Sequence, residues 1–165
     1  MWASTDYEGT AQELVKDFKF GQQREAANPI ARLMCETFLN FNSDEDILKM
    51  NYLVIPIPTA TKRARQRGFD HAKLLARQIA TQLKLESYYG LLRHGQSRQV
   101  GSRRADRLVQ AIGNYRVIGR SHVTGRNILL VDDVITTGGT LNAAAKALRQ
   151  AGAKQVDGLV FAKRL

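Results

Sequence analysis

Residues 128–141 read ILLVDDVITTGGTL, and no other stretch constrains the fold as tightly. The apolar residues Ile128, Leu129, Leu130 and Val131 predict a short buried parallel strand. Two acids, Asp132 and Asp133, stand at its carboxyl end. A small, hydroxyl-rich turn of Thr136, Thr137, Gly138, Gly139 and Thr140 follows, and then an alanine-rich helix. In an open α/β sheet, ligands bind outside the carboxyl ends of the strands. A turn entering a helix offers unpaired N–H groups and the positive end of the helix dipole, which suits a phosphate. Glycines let the backbone come close to a ligand, and the threonine hydroxyls can donate to phosphate oxygens. The acids would repel that phosphate, so they are suited to accept from sugar hydroxyls or to hold a metal through water. The stretch therefore predicts a ligand with a phosphate at one end and a diol beside it.

Upstream, Thr10 and Glu13 have capping-box spacing, with Leu14, Val15 and Phe18 on one helical face and Gly21 as a stop. Asn28-Pro29 predicts a second helix start, with a stripe of Ile30, Leu33, Met34, Phe38 and Phe41. Residues 42–46 read as loop. Residues 52–57 predict a strand that leaves the sheet at Pro56-Ile57-Pro58. Behind it lie Thr59, Ala60, Lys62, Arg63, Arg65 and Arg67, a basic run at a strand end, where a pyrophosphate would sit. Asp70 can cap a helix carrying Leu75, Ile79 and Leu83, and His71 in its first turn reads as an orienting or solvated histidine. Residues 88–92 predict a strand. Residues 93–107, rich in Gly, Ser and Arg, predict a loop able to close over an anion, leading into a basic helix with Leu108, Val109 and Ile112. Residues 115–118 read as an edge strand, 140–151 as a helix stopped by Gly152, and 156–162 as a last strand. This alternation predicts an α/β architecture with a parallel sheet.

At 165 residues a single domain over 1–165 is expected, burying roughly 70% of its unfolded surface. No apolar run approaches the ~18 residues of a membrane span. The first residues lack a signal-peptide pattern, so a cytoplasmic, non-membrane protein is expected. The lone Cys35 excludes an internal disulfide and predicts a small core residue. The net charge is +10, and residues 61–126 hold fifteen Lys/Arg against three Asp/Glu, a net of +12. That excess is the footprint of a polyanionic ligand, either a pyrophosphate group or nucleic acid.

The 128–141 segment resembles the PRPP-binding motif of type I phosphoribosyltransferases, PRPP being phosphoribosyl pyrophosphate. Tyr7-Glu8-Gly9, Lys19-Phe20-Gly21, Ile55-Pro56-Ile57-Pro58, Arg67-Gly68-Phe69, Leu92-Arg93, Gln99, Arg107, Tyr115 and residues 152–164 extend the resemblance to the ComF family, which includes GntX-type proteins. The resemblance implies a type I phosphoribosyltransferase fold, a Rossmann-like parallel sheet flanked by helices. It implies that Asp132 and Asp133 take the ribose 2′ and 3′ hydroxyls and that Thr136, Thr137, Gly138, Gly139 and Thr140 take the 5′-phosphate. It implies Mg²⁺ arriving with PRPP, held through water by Asp132 and Asp133. The cysteine-rich zinc module of the family is missing from the sequence, so no zinc is expected. The family's Asn-Gln after Arg-Gly-Phe is Asp70-His71, and an Asn expected near the basic helix is Gln110. Hypoxanthine-type enzymes carry a carboxylate at the position of Thr136, so the motif stands nearer the orotate and ComF types.

The expected function is transfer of a phosphoribosyl group to an acceptor that the sequence does not name, with release of pyrophosphate. Competing readings are a PRPP sensor without turnover and a nucleic-acid-binding accessory of DNA uptake through the basic segment 61–126. The aromatic residues do not interleave with the basic runs, which weighs against the last. An oligomeric assembly stays open.

Overall fold

The computed structural model describes residues 1–20, 23–59, 69–93 and 115–164, with the backbone alone at Asp44 and Leu48. Five strands form one parallel sheet in the order β1-β7-β6-β2-β3, and β4 and β5 form a separate antiparallel ribbon. The strands are β1 (Trp2–Asp6), β2 (Tyr52–Pro56), β3 (Glu86–Ser87), β4 (Leu91–Arg93), β5 (Tyr115–Val117), β6 (Asn127–Ile135) and β7 (Gln155–Lys163). The helices are α1 (Gly9–Phe20), α2 (Ala27–Phe41), α3 (Asp44–Met50), α4 (His71–Leu83) and α5 (Gly139–Gln150). The parallel α/β sheet expected from the sequence is the one observed.

The central strands β2 and β6 are apolar on both faces, as a sheet covered on both sides requires. Tyr52, Val54, Leu129 and Val131 face α1, α2 and α4 in one core cluster. Leu53, Ile55, Ile128 and Leu130 face α5 and the β4–β5 ribbon in the other. From this central pair the chain winds outward in both directions, through α4 to β3 and through α5 to β7. The reversal puts a topological switch point between β2 and β6, where such sheets bind ligands. A gap opens there because the β2–β6 ladder ends early. Its last bond runs from Ile57 N–H to the Val131 carbonyl, 2.8 Å. The Asp133 N–H instead donates to Oδ1 of its neighbour Asp132, 2.9 Å, and Pro58 brings no N–H to continue the ladder.

Several local expectations change. The motif strand runs on to Ile135 rather than ending at Val131, so Asp132 and Asp133 lie within β6. An N-terminal strand, β1, pairs with β7 (Trp2↔Leu159, Thr5↔Ala162). α1 starts at Gly9, so Thr10 and Glu13 lie inside it rather than forming a cap. α2 starts at Ala27 after a 3₁₀ turn over Arg24–Ala26, one residue ahead of Asn28. Its stripe is narrower than expected: Leu33 is 45% exposed and Phe41 70%, while Ile30, Met34 and Phe38 are fully buried. The loop expected at 42–46 holds the start of α3, whose capping box joins Ser43 to Asp46. Of the strand expected at 88–92, residues 88–90 lie in no strand, since the chain leaves the sheet after Ser87 at the end of β3 and begins β4 at Leu91. The expected edge strand at 115–118 is β5, paired with β4 instead of the main sheet. Asp70 caps α4, accepting from Lys73 N–H, and Gly152 ends the last turn beyond α5 with a φ of +99°. Gly21, the basic residues 60–68 and the expected loop and helix over 94–114 lie outside the described residues. Among those described, no helix is long and apolar enough to cross a membrane.

Candidate functional site

The site forms where β6 outruns β2. Strand alternation sends consecutive side chains to opposite faces, and Asp132 and Asp133 accordingly have different surroundings. Asp133 reaches α1, where its Oδ1 stands 2.7 Å from the Lys19 ammonium, and the two side chains are only 11% and 20% exposed. Among the described residues no salt bridge reaches Asp132, and its Oδ1 accepts the Asp133 N–H. Burial, and then repulsion from the Asp133 carboxylate, push the Asp132 carboxyl up to about 8. Burial thus favours the neutral form of Asp132 in the ligand-free site, and a cationic group arriving beside it would favour the charged form.

Two adjoining cavities meet at Asp132. The smaller, about 40 Å³, is walled by the turn Thr136, Thr137, Gly138, Gly139 and Thr140 together with Asp132 and Val160. The larger, about 190 Å³, opens between Thr59, Pro58, Asp132, Asp133, Lys19 and Arg93 and is also bordered by Tyr115 and Thr140. The first has the size and wall chemistry of a phosphate cradle. α5 begins at Gly139, its N-cap Gly138 contributes no side-chain cap, and the first intrahelical bond is Asn142 N–H to the Gly138 carbonyl, 2.9 Å. The N–H groups ahead of Asn142 therefore face the turn without helical acceptors, as at any helix start. Among the described residues Gly139 N–H makes only a long contact to Thr137 Oγ1, 3.5 Å.

The sequence reading gave both glycines one role, and the structure separates them. Gly138 has φ +73°, a left-handed conformation that a side chain strains. Gly139 is absent from that region, and a Cβ there would meet only Thr137 Oγ1 at an ordinary 3.6 Å. Gly138 shapes the turn, while Gly139 keeps its open side free of side chain.

The other expected site residues are only partly described. Thr59 stands at the end of β2 in the larger cavity, and its hydroxyl donates to Asp70 Oδ1, 3.2 Å. That bond ties the end of β2 to the start of α4 across the basic connection. Ala60, Lys62, Arg63, Arg65 and Arg67 lie outside the described residues. His71, expected to orient or be solvated, is 1% exposed and donates from Nε2 to the Phe18 carbonyl, 2.9 Å. No group of three or more His, Cys, Asp or Glu suited to a metal occurs among the described residues. Cys35 is the buried core residue expected, and burial pushes its thiol up to about 12.

Three side chains join the cavity that the motif reading left without a role: Lys19 from α1 and the cross-strand pair Arg93 and Tyr115 from the ribbon. Tyr115 is 4% exposed, and its hydroxyl is raised by burial, with Arg93 opposing and Asp132 adding to the shift. The signal for all three was the family resemblance alone, which quoted them as matching pieces.

Comparison with known proteins gives the following. Residues 66–165, more than half of the chain, match the family model described as phosphoribosyl transferase domain. Competence protein ComFC of Bacillus subtilis (strain 168) is 30% identical over 147 residues, covering 88% of this chain and 56% of that protein. Competence protein F of Haemophilus influenzae is 29% identical over 147 residues, covering 87% of this chain and 64% of that protein. The chain thus spans little more than half the length of these curated relatives. The solved allosteric regulatory enzyme of purine biosynthesis matches 88% of this chain and 29% of its own, with TM-score 0.57 and 16% identity, which is a likeness of fold.

Proposed function

The chain belongs to the phosphoribosyl transferase domain family, with ComF-type competence proteins among its relatives, and from that premise we propose that it binds PRPP and transfers its phosphoribosyl group to an acceptor, releasing pyrophosphate. The observation that carries the reading is the meeting of the two cavities at Asp132 and Thr140. A 5′-phosphate in the 136–140 turn leaves a pentose diol beside Asp132 and Asp133, with its anomeric carbon toward Thr59 and the basic connection. Breaking the bond to that carbon develops positive charge on the sugar and negative charge on the leaving group. Catalysis then rests on holding the sugar in place and on neutralising the leaving group.

Asp132 fits the first task as a buried carboxylate with room for a hydroxyl donor. Lys62, Arg63, Arg65 and Arg67 are the proposed partners of the pyrophosphate. Mg²⁺ is commonly held by one or two carboxylates plus substrate phosphates, so two acids suffice for it. Asp132 and Asp133 would hold it through water, and it would supply Lewis-acid neutralisation of the pyrophosphate.

Calorimetric titration with PRPP and Mg²⁺, followed by an assay of pyrophosphate release against nucleobases and amines, tests the reading. PRPP at 100 times its dissociation constant should stabilise the fold by about 2.7 kcal/mol. Saturable binding without pyrophosphate release would leave a PRPP sensor, and no binding would remove both. A second reading, nucleic-acid binding, is favoured by the concentration of charge in residues 61–126 and by the competence relatives. It requires a DNA affinity that falls steeply with salt.

A further inference from the structure

We propose that Lys19 is a positioning residue of this site, which holds the Asp133 carboxylate at the cleft wall for the sugar diol and so makes α1 part of the sugar-binding machinery. The inference rests on the PRPP reading and goes past it, since Lys19 lies outside the residues that match the family model. A lysine on the surface usually forms a pair of little consequence. Lys19 differs because both partners are largely withdrawn from water and both line the 190 Å³ cavity. An ammonium so placed is stable only when paired, and Asp133 Oδ1 is the partner. Among the described residues no hydrogen bond reaches Asp133 Oδ2, which leaves that oxygen for a hydroxyl.

The end of α1 is itself anchored independently of the ion pair. Phe18, fully buried, packs against Phe69 and His71 with ring centroids 5.9 and 4.8 Å away. Its carbonyl takes the His71 Nε2 hydrogen bond. The residue before Lys19 is thereby fixed to the start of α4, so the ammonium is presented from a rigid base. Releasing it would free the Asp133 side chain to rotate away from the diol and would leave a largely buried charge unpaired.

The test compares ribose 5-phosphate with 2,3-dideoxyribose 5-phosphate, which differ only in the two hydroxyls, by calorimetry on the full chain. In Lys19→Met, affinity for ribose 5-phosphate should fall roughly 10- to 100-fold, the range for a charge-assisted hydrogen bond. Affinity for the dideoxy sugar should hold, so that the preference between them collapses. Lys19→Arg should restore most of the preference. A folded Lys19→Met protein with the original preference overturns the inference and leaves the PRPP reading standing. An unaltered protein that binds neither PRPP nor ribose 5-phosphate overturns that reading instead, and this inference with it. If Lys19→Met does not fold, Asp133→Asn with and without Lys19→Met decides, because the pair leaves no orphaned charge. Equal sugar affinities in those two variants support positioning through Asp133, and a further loss on adding Lys19→Met overturns it.

Discussion

The two ends of β6 are built for different purposes. At the amino end, most polar groups are joined to one another, although Arg126 Nε and Asn127 Oδ1 are buried without a hydrogen-bond partner among the described residues. Asn127 Nδ2 donates to the Met50 carbonyl at 2.6 Å, Arg126 pairs with Glu86 at 2.9 Å, and Gly125 N–H and Lys154 N–H tie the β6 entry to the residues after α5. At the carboxyl end, polar groups are left for something else. Asp132 takes one bond from its own strand, the first N–H groups of α5 lack helical acceptors, and β2 has already turned away. Groups satisfied internally contribute to stability, whereas groups held unsatisfied cost stability and are recovered when a ligand arrives. A substitution at one end should therefore be read in the melting temperature and at the other in the binding curve.

The largest effect is expected from Gly138→Val. A β-branched residue at φ +73° distorts the turn, and binding of ribose 5-phosphate should fall by about 100-fold or more, while the core remains folded by circular dichroism. Gly139→Ala, with room for its Cβ, should keep the free fold intact and weaken the phosphate alone. Normal ribose 5-phosphate binding by a folded Gly138→Val protein would remove the turn from the site.

Next comes Asp132→Asn, which should move the two readouts in opposite directions. PRPP affinity should drop about 10- to 100-fold. The ligand-free protein should gain stability at neutral pH on the order of 1 kcal/mol, or about 2–4 °C in Tm. The sign follows from the raised carboxyl. Between the ordinary value near 4 and about 8, the folded chain keeps a proton that the unfolded chain has lost. Its stability therefore falls as pH rises through that window, and the asparagine removes this slope. Scanning calorimetry of both proteins from pH 5 to 8 measures it, and an asparagine variant that is less stable at pH 7 contradicts the assignment.

The smallest effect belongs to the amino end. Asn127→Ala removes a buried donor and should cost about 1–3 kcal/mol of stability with PRPP affinity unchanged. A loss of affinity larger than the loss of stability would show that the two ends are coupled and would break the comparison.

What was legible in the chain follows the same division. The motif strand and α5 were readable because the apolar run, the turn and the alanine-rich stripe are contiguous, and local pattern decides such elements. β1 was not, because WASTD is half-buried along its length rather than alternating and its partner is β7, at the other end of the chain. α3 has a short pattern with Ile47 as its buried apolar residue among those described. The separation of the two acids was hidden for a related reason. Reading β6 as ending at Val131 gave Asp132 and Asp133 one role, whereas a strand running to Ile135 puts them on opposite faces. Lys19 reaches Asp133 only through tertiary packing, for which no spacing exists in the sequence.

The pairing of the first strand with the last has a consequence in time. Trp2–Asp6 bonds to Leu159–Lys163, so during synthesis the N-terminal strand emerges long before its partner exists. Contacts of such sequence separation close late and slowly. Until β7 is made, β1 presents an unpaired edge of the kind that recruits other strands. The same delay applies to the neighbouring helix and its lysine. The carboxyl end of the sheet is thus completed only once β7 has been made, and an intermediate lacking β7 carries the 136–140 turn without the strand that flanks β6 on that side.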